Sequence, residues 1–403
     1  MKQFLASLIC ILWFAPQVMA QELTALARVD PAASGVADGW FGRTDITLRL
    51  SQGVPFRVFT LDTPARLVVD FREVDFDGLS ADDLLAEGGR IAAMRFGAFQ
   101  PGWSRMVVDL AEPMLPVEIG MPVEDGSGRA TLQITLKSVK SEEFATASGA
   151  PIDPNWTPAF LRAAPPPAAE DVFTVVLDPG HGGIDPGAER EGVNEKELML
   201  SFARTLRDIL RRSGVEVVLT RDDDVFVSLQ SRVAIAHQMR GDLFISLHAD
   251  SLSEGGARGA TVYTLSDEAS DAATEHLAAR HNRADIIAGA DLTGSDDQVA
   301  QVLLDLARQE TGPRSATLAM TLAEGMAAVG GPMNNRPLRE AGFSVLKSAD
   351  IPSVLVEIGF LSSKRDLANI SDPVWRAGMA EGMAAALLKW RDEDAARAAL
   401  VRQ

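Results

Sequence analysis

Hydrophobic and polar residues alternate in short runs through the first third of the chain. The runs are DITLRLS, FRVFTLD, ARLVVDF, SRMVVDL and ATLQITL, and Gly, Pro and Asp turns separate them. Alternation with a period of two is typical of strands that are buried on one face. The pattern predicts an all-β sandwich over residues 22–140. We interpret it as a binding or targeting module, because no titratable cluster accompanies the strands.

A different pattern begins at residue 172. The runs FTVVLD, VEVVLT, LFISLH and SVLVEI are apolar throughout, and helical patterns lie between them. In EKELMLSFARTLRDILRR, for example, Leu198, Phe202, Leu206 and Ile209 share one face of a helix. Unbroken apolar strands that alternate with helices are typical of a sheet covered on both faces. We therefore predict a C-terminal α/β domain over residues 172–392, with a largely parallel, twisted sheet flanked by helices.

Two other segments depart from these patterns. Residues 141–171 are rich in Ala and Pro and include three consecutive prolines, which predicts an extended linker.

About eighty residues separate the strand GATVYTL from FSVLK, which is also predicted to be a strand. This is far longer than an ordinary connection. DEASDAATEHLAARHNRADIIAGADL, DDQVAQVLLDLARQE and SATLAMTLAEGMAAV have helical patterns there. We predict a helical insertion at about residues 266–330.

Residues 1–20 have the pattern of a secretory signal peptide. Lys2 precedes an apolar run, and Val18, Met19 and Ala20 form a cleavage site. The run is too short for a comfortable membrane span, and no later stretch approaches spanning length. We therefore predict an exported protein without a membrane span once the signal is cleaved. An uncleaved anchor is the alternative.

Charge and cysteine content narrow the possible chemistry. The formal net charge is −18, and removal of Lys2 with the signal makes it −19, so bulk electrostatics does not favour nucleic acid as a partner. The single cysteine, Cys10, lies within the predicted signal. The mature chain would then have no thiol, and a metal could be bound only by His, Asp and Glu.

Three ionisable residues recur at the ends of predicted strands. His181 follows VVLD, His248 closes LFISLH and Glu357 closes SVLVE, while Glu195 begins the helix after a glycine-rich loop. Ligands of open α/β sheets bind in the crevice beyond the carboxyl ends of the strands, so these side chains should meet there. Two imidazoles and one carboxylate are a ligand set of catalytic zinc.

We assign His181, Glu195 and His248 as ligands of one Zn²⁺ ion, and Glu357 as the group that takes a proton from water. Pro179 and the glycines around His181 would let a metal and a bulky substrate approach the strand end. Each histidine alone could equally have a structural role, and the assignment rests on their joint placement.

The segments that carry these residues resemble a known family. VVLDPGHGGIDPGA, NEKEL, DLFISLHAD and SVLVEIGFLSS are similar to the motifs of the zinc-dependent N-acetylmuramoyl-L-alanine amidases of type 3, over about residues 172–392. The N-terminal region is similar, more loosely, to the AMIN domain that precedes such amidases in Gram-negative bacteria. The resemblance implies zinc ligands at His181, Glu195 and His248, and a catalytic glutamate at Glu357.

The resemblance also implies a function and its regulation. It implies a periplasmic hydrolase that cleaves peptidoglycan between N-acetylmuramic acid and the L-alanine of the stem peptide, during septal wall splitting and daughter-cell separation. In the cell-division branch of this family a comparable insertion covers the active site, and a LytM-domain activator displaces it. Glu275, His281 and Asp285 are the candidates for blocking the metal here. We expect a monomer, and a surface excursion without a regulatory role is the alternative for the insertion.

Two other functions are compatible with parts of the pattern. One is a non-catalytic peptidoglycan-binding regulatory protein with a degenerate amidase domain, which would usually have lost a ligand or the glutamate. All four residues are present. The other is a metal-dependent peptidase or deacetylase, which only analysis of the products distinguishes.

Overall fold

The computed structural model describes most of the chain outside its N-terminus and the region before residue 172. The described residues are 26–76, 78–85, 89–100, 102–151, 172–252, 257–287, 289, 298–348 and 350–401. The predicted signal peptide and residues 152–171 of the predicted linker lie outside them. Within the described ranges, no helix combines the length and the apolar character needed to cross a membrane.

The N-terminal region forms two four-stranded antiparallel sheets that pack face to face. Their orders are β2-β3-β10-β9 and β4-β5-β8-β7, and β1 and β6 form a short parallel pair. The strands are β1 Ala27–Arg28, β2 Gly35–Asp38, β3 Arg43–Leu50, β4 Phe56–Leu61, β5 Arg66–Arg72, β6 Val74–Asp75, β7 Ile91–Gln100, β8 Trp103–Leu110, β9 Met114–Gly120 and β10 Ala130–Ser138.

Alternation along these strands builds the core of the sandwich. In β3, Ile46, Leu48 and Leu50 are buried, whereas the residues between them are partly exposed. The predicted all-β architecture is therefore confirmed. Five strands were not predicted. β1 and β6 are only two residues long, and the sequences of β2, β7 and β9 lack a clean alternation of apolar and polar residues.

The predicted linker does not begin at residue 141. Residues Ser141–Ala147 form helix α1. Phe144 of this helix is fully buried in the core of the sandwich. Burial of one large aromatic side chain stabilises a local helix that the Ala-rich composition alone does not specify. The β domain therefore extends beyond its predicted boundary.

The C-terminal domain is built on a six-stranded sheet in the order β14-β11-β15-β18-β16-β17. The first four of these strands are parallel to one another, and β16 runs antiparallel to β18, which confirms the largely parallel sheet. The strands of the domain are β11 Thr174–Pro179, β12 Glu189–Arg190, β13 Val193–Asn194, β14 Glu216–Leu219, β15 Leu243–His248, β16 Ala260–Leu265, β17 Met333–Ala341 and β18 Ser353–Glu357.

Helices cover both faces of this sheet. They are α2 Glu195–Arg212, α3 Leu229–Gln238, α4 Ala272–His281, α5 Ala284–Ile287, α6 Gln298–Ala328, α7 Lys364–Ser371 and α8 Pro373–Val401. On one face, Phe202 of α2 and the fully buried Trp390 of α8 pack against the strands, and on the other face Leu277 of α4 does so. The strands are apolar throughout because both of their faces are buried.

The insertion differs from its prediction in three respects. FSVLK is not a strand: Ser344–Leu346 form a 3-10 turn, and the edge strand is β17. The two helices predicted on either side of Gly312 and Pro313 are one continuous helix, α6. Leu318 and Leu322 of α6 are fully buried in the sheet core, so this half of the helix belongs to the body of the domain.

Candidate active site

Three adjacent strands bring the predicted residues together. Strand β11 leads into His181, and β15 and β18 end at His248 and Glu357. His248 and Glu357 are register partners on neighbouring parallel strands, so their side chains leave the sheet side by side. The rim predicted from the strand ends therefore exists.

Glycines allow the two histidines to approach one another. A Cβ atom at Gly180 would lie 2.2 Å from Cε1 of His248, and one at Gly187 would lie 2.6 Å from Cδ2 of His181. His181 itself has a φ of +60°, an uncommon conformation for a residue other than glycine. The rings of His181 and His248 thereby reach a centroid separation of 4.9 Å in an edge-to-face arrangement.

Glu195 links the two histidines. It is the first residue of α2, whose N-cap is Asn194, and its side chain is fully buried. Oε1 lies 3.0 Å from Nδ1 of His248 and accepts a hydrogen bond from the backbone N–H of Ala249. Oε2 lies 3.2 Å from Nε2 of His181 and accepts from the N–H of Ala188.

The residues present fit a metal ion. Ligand atoms of His181, Glu195 and His248 lie within 4.8 Å of one another. Among the described residues, four buried polar atoms at this point have no hydrogen-bond partner: Nε2 of His181, Nε2 of His281, Oδ2 of Asp250 and Oε1 of Glu357. Buried polar atoms without partners are costly, and a cation bound among them would satisfy them.

Asp185 orients His181. Its Oδ2 lies 2.8 Å from Nδ1 of His181, which leaves Nε2 directed at the ligand group. Burial lowers the pKa of His181, but the carboxylates of Glu195 and Asp185 outweigh it and hold that pKa well above its usual range. Asp185 was not predicted, although a carboxylate four residues after the histidine, in the same glycine-rich loop, could have indicated it.

Two buried arginines fix the backbone of this loop. Arg221 donates to the carbonyls of Pro179 and Gly180, and Arg232 donates to the carbonyl of His181 at 2.9 Å. Arg232 also donates to Asp178 at 2.6 Å. Neither arginine was predicted, because nothing local in the sequence distinguishes it from a surface arginine.

Glu357 has the environment of a general base. Its side chain is fully buried, and burial raises its pKa to about 7. Oε2 accepts a hydrogen bond from the N–H of Asp250 at 2.8 Å, whereas Oε1 has no hydrogen-bond partner among the described residues. A carboxyl group whose pKa lies near neutrality can take up and release a proton at physiological pH.

Helix α4 places His281 directly in this group. The ring of His281 lies 4.2 Å from that of His248, and its Nε2 lies 3.5 Å from both Oδ2 of Asp250 and Oε1 of Glu357. His248, His281 and Glu357 form a second set of possible metal ligands. Arg280, the preceding residue, pairs with Oδ1 of Asp250 at 2.6 Å.

The other two candidates of the insertion lie elsewhere. Glu275 is exposed on α4. Asp285 is buried, but its carboxylate accepts a hydrogen bond from the N–H of Leu229 at 2.8 Å. The sequence pattern does not rank the three, because it predicts one helix through all of them. In the structure that helix ends at His281, with Asn282 as its C-cap.

Comparison with known proteins identifies both domains. Residues 175–389, more than half of the chain, match the family model described as N-acetylmuramoyl-L-alanine amidase, and residues 38–131 match that of the AMIN domain.

Two relatives match along nearly the whole chain, and a third matches over about half of it. N-acetylmuramoyl-L-alanine amidase AmiC of Escherichia coli O6:H1 is 30% identical over 89% of this chain and 87% of its own length. AmiC of Neisseria meningitidis is 31% identical over 93% of this chain and 91% of its own length. AmiA of Escherichia coli K12 is 40% identical over 54% of this chain and 75% of its own length. The chain therefore belongs to the N-acetylmuramoyl-L-alanine amidase family and carries an N-terminal AMIN domain.

Proposed function

We propose that this amidase hydrolyses the amide bond between the lactyl group of N-acetylmuramic acid and the L-alanine of the peptidoglycan stem, with one zinc ion held by His181, Glu195 and His248. The observation that carries the proposal is the convergence of these side chains with Glu357, where buried polar atoms lack partners. When bound, zinc supplies a Lewis acid that polarises the carbonyl and lowers the pKa of water.

The protein side chains handle the protons. Oε1 of Glu357, which has no hydrogen-bond partner among the described residues, accepts the proton of the attacking water and passes it to the departing amine of L-alanine. Asp185 holds His181 in one orientation, and Asp250 holds Oε2 of Glu357 in place through its N–H. The loop glycines let the protein's own groups pack closely there, since a Cβ atom at Gly180 would meet His248 and one at Gly187 would meet His181 and Glu195.

We also propose that helix α4 inhibits the enzyme by covering its active site. The ring of His281 fills the position beside His248 and Glu357 that substrate needs, and the cavity between His181, His248 and His281 has a volume of only about 20 Å³. A disaccharide peptide requires a cavity of hundreds of Å³. Helix α4 therefore has to move before catalysis, and we assign its displacement to an activator with a LytM-type domain.

The location and biological role follow from the N-terminus and the reaction. The predicted signal peptide supports a periplasmic location, where the wall is accessible. A wall hydrolase that is kept inactive until a partner releases it suits septal wall splitting and daughter-cell separation. The AMIN domain would bring the enzyme to the wall, and the chain would act as a monomer.

Digestion of purified peptidoglycan tests this function. The zinc-loaded protein, with a LytM-type activator, should release free stem peptides and leave intact glycan strands, as seen by mass spectrometry. Release of shortened peptides or of acetate would instead indicate a peptidase or a deacetylase. Binding without any product, with and without activator, would support the non-catalytic alternative.

A further inference from the structure

One face of the AMIN domain is covered by the amidase domain. The sheet β4-β5-β8-β7 presents Val68 and Val107, which are register partners and fully buried. Val107 packs with Ile184 and Phe226 of the amidase domain. We call this surface of β5, β7 and β8 the docking face.

Two arginines of the docking face bind the chain just after helix α4. Arg66 donates from Nη1 to the carbonyl of Ile286 at 3.0 Å, and Arg105 donates from Nη1 to the carbonyl of Gly289 at 2.9 Å. Both arginines are almost completely buried, and Arg105 is held by two hydrogen bonds to Asp70. A hydrogen bond from a charged donor is stronger than a neutral one, and more so when buried.

Gly289 fits the docking face closely. Its φ is +64°, and a Cβ atom there would lie 2.8 Å from Cγ2 of Val107 and 3.1 Å from Cγ2 of Val68. The carbonyl of Gly289 can reach Arg105 only because the backbone lies directly on the two valines. The contact therefore depends on shape as well as on charge.

The docking face also contacts the loop that carries a metal ligand. The N–H of Ile184 donates to the carbonyl of Ala98, on the edge strand β7, at 2.8 Å. A Cβ atom at Gly97 would lie 3.1 Å from the Cα of Ile184. Ile184 lies three residues after His181. The same sheet therefore contacts both the loop that contains His181 and the segment that follows helix α4.

We propose that the docking face of the AMIN domain is a clamp that keeps the amidase inhibited, with Arg66 and Arg105 as positioning residues for the regulatory segment, which comprises α4, α5 and the turn at Gly289. This inference rests on the proposed autoinhibition. Helix α4 ends at His281, and the chain is held again at Ile286 and Gly289, so His281 cannot leave the site far without breaking these contacts. The docking face therefore binds a segment of this same chain.

The clamp is tested on the zinc-loaded full-length protein with Arg66→Met and, separately, Gly289→Val. The first removes the bond to Ile286, together with one to Pro64 within the AMIN domain, and keeps the bulk of the side chain. The second forces the turn off the docking face. Each should raise the basal release of fragments from dye-labelled peptidoglycan about tenfold, because the loss of one charge-assisted bond shifts the closed state by about this factor. Amide hydrogen exchange in residues 272–287 should become faster.

Arg49→Met is the matched control, since Arg49 pairs with Glu124 on the opposite sheet of the AMIN domain. It should leave the basal rate and the exchange of residues 272–287 unchanged. Folding and zinc content are measured for every variant. Wild-type basal rates in both folded clamp variants, or faster exchange without a higher rate, would overturn the clamp.

A deletion of residues 268–310 separates this failure from that of the proposed autoinhibition. A folded, zinc-loaded deletion with unchanged activity overturns autoinhibition and the clamp with it. A deletion that is activated, while Arg66→Met and Gly289→Val stay at the wild-type rate, overturns the clamp alone.

Discussion

The proposed metal site and the regulatory segment are in contact, but the two are held in place in different ways. His248 and Glu357 are the last residues of central strands, and Glu195 opens a helix that packs on the sheet core. The regulatory segment buries Leu277 and Ala278 and lays Gly289 on two valines of the AMIN domain, and it is held further by individual polar contacts. These join Arg280 to Asp250, Asn282 to Gly342 and Ser344, Asp285 to Leu229, Arg66 to Ile286 and Arg105 to Gly289.

Because of this difference, the metal site can stay rigid while the regulatory segment moves. A group fixed by strand ends and a hydrophobic core keeps its geometry when a neighbouring helix leaves, which catalysis requires. A segment held by a few polar contacts can be released by a partner that replaces them, at a modest free-energy difference. Substitutions in the metal site should therefore lower activity or zinc affinity, whereas substitutions in the regulatory segment should raise the basal rate.

The largest effect is expected for Glu357→Gln. Glutamine keeps the shape of the side chain but cannot accept the proton of water, so the rate should fall by about 10²–10⁴-fold, the usual contribution of a general base. Zinc content, measured by elemental analysis, should remain that of the wild type. A variant that turns over at a near-normal rate would remove Glu357 from the mechanism.

A smaller effect is expected for Asp185→Asn. The amide cannot stabilise the orientation of His181 as the carboxylate does, so the affinity for zinc should fall by about 10–100-fold. Competition with a chelator of known affinity measures it. Asp208→Asn, at a half-exposed position on α2, is the control and should bind zinc as the wild type does. Equal affinity in the two variants would contradict the role of Asp185.

The smallest effect is expected in the regulatory segment, for His281→Ala. Removal of the ring opens the position beside His248 and Glu357, and the basal rate without activator should rise about tenfold, within the usual range of coupling between a regulatory and an active site. The assay is the release of stem peptides from purified peptidoglycan. Glu275→Ala, on the exposed side of the same helix, should leave that rate unchanged. A similar rate in the two variants would argue against blocking by His281.

The positions of the metal-site residues were predicted well from the sequence, because the patterns that place them are local. A continuous apolar run predicts a buried strand, and parallel strands carry their last residues to a common rim, so His248 and Glu357 could be placed together from FISLH and VLVE alone. Asp185 and the two loop arginines were missed, because their roles depend on where a loop folds back and not on any pattern.

The regulatory segment, and the turn at FSVLK that contacts it, were harder to predict, because both depend on contacts between distant parts of the chain. FSVLK has the composition of a strand, yet Phe343, Val345 and Leu346 bury their side chains from a turn. The helical pattern through residues 272–287 gave no reason for a break, because Asn282 ends α4 through contacts with Gly342 and Ser344, about sixty residues away in sequence. Such contacts arise only in the folded chain.

The most direct test of the central claim is anomalous diffraction at the zinc absorption edge from a crystal of the full-length protein. The account predicts a single zinc peak coordinated by His181, Glu195 and His248, next to Glu357. A peak bound by other residues, or an absence of zinc from protein that still cleaves peptidoglycan, would contradict it.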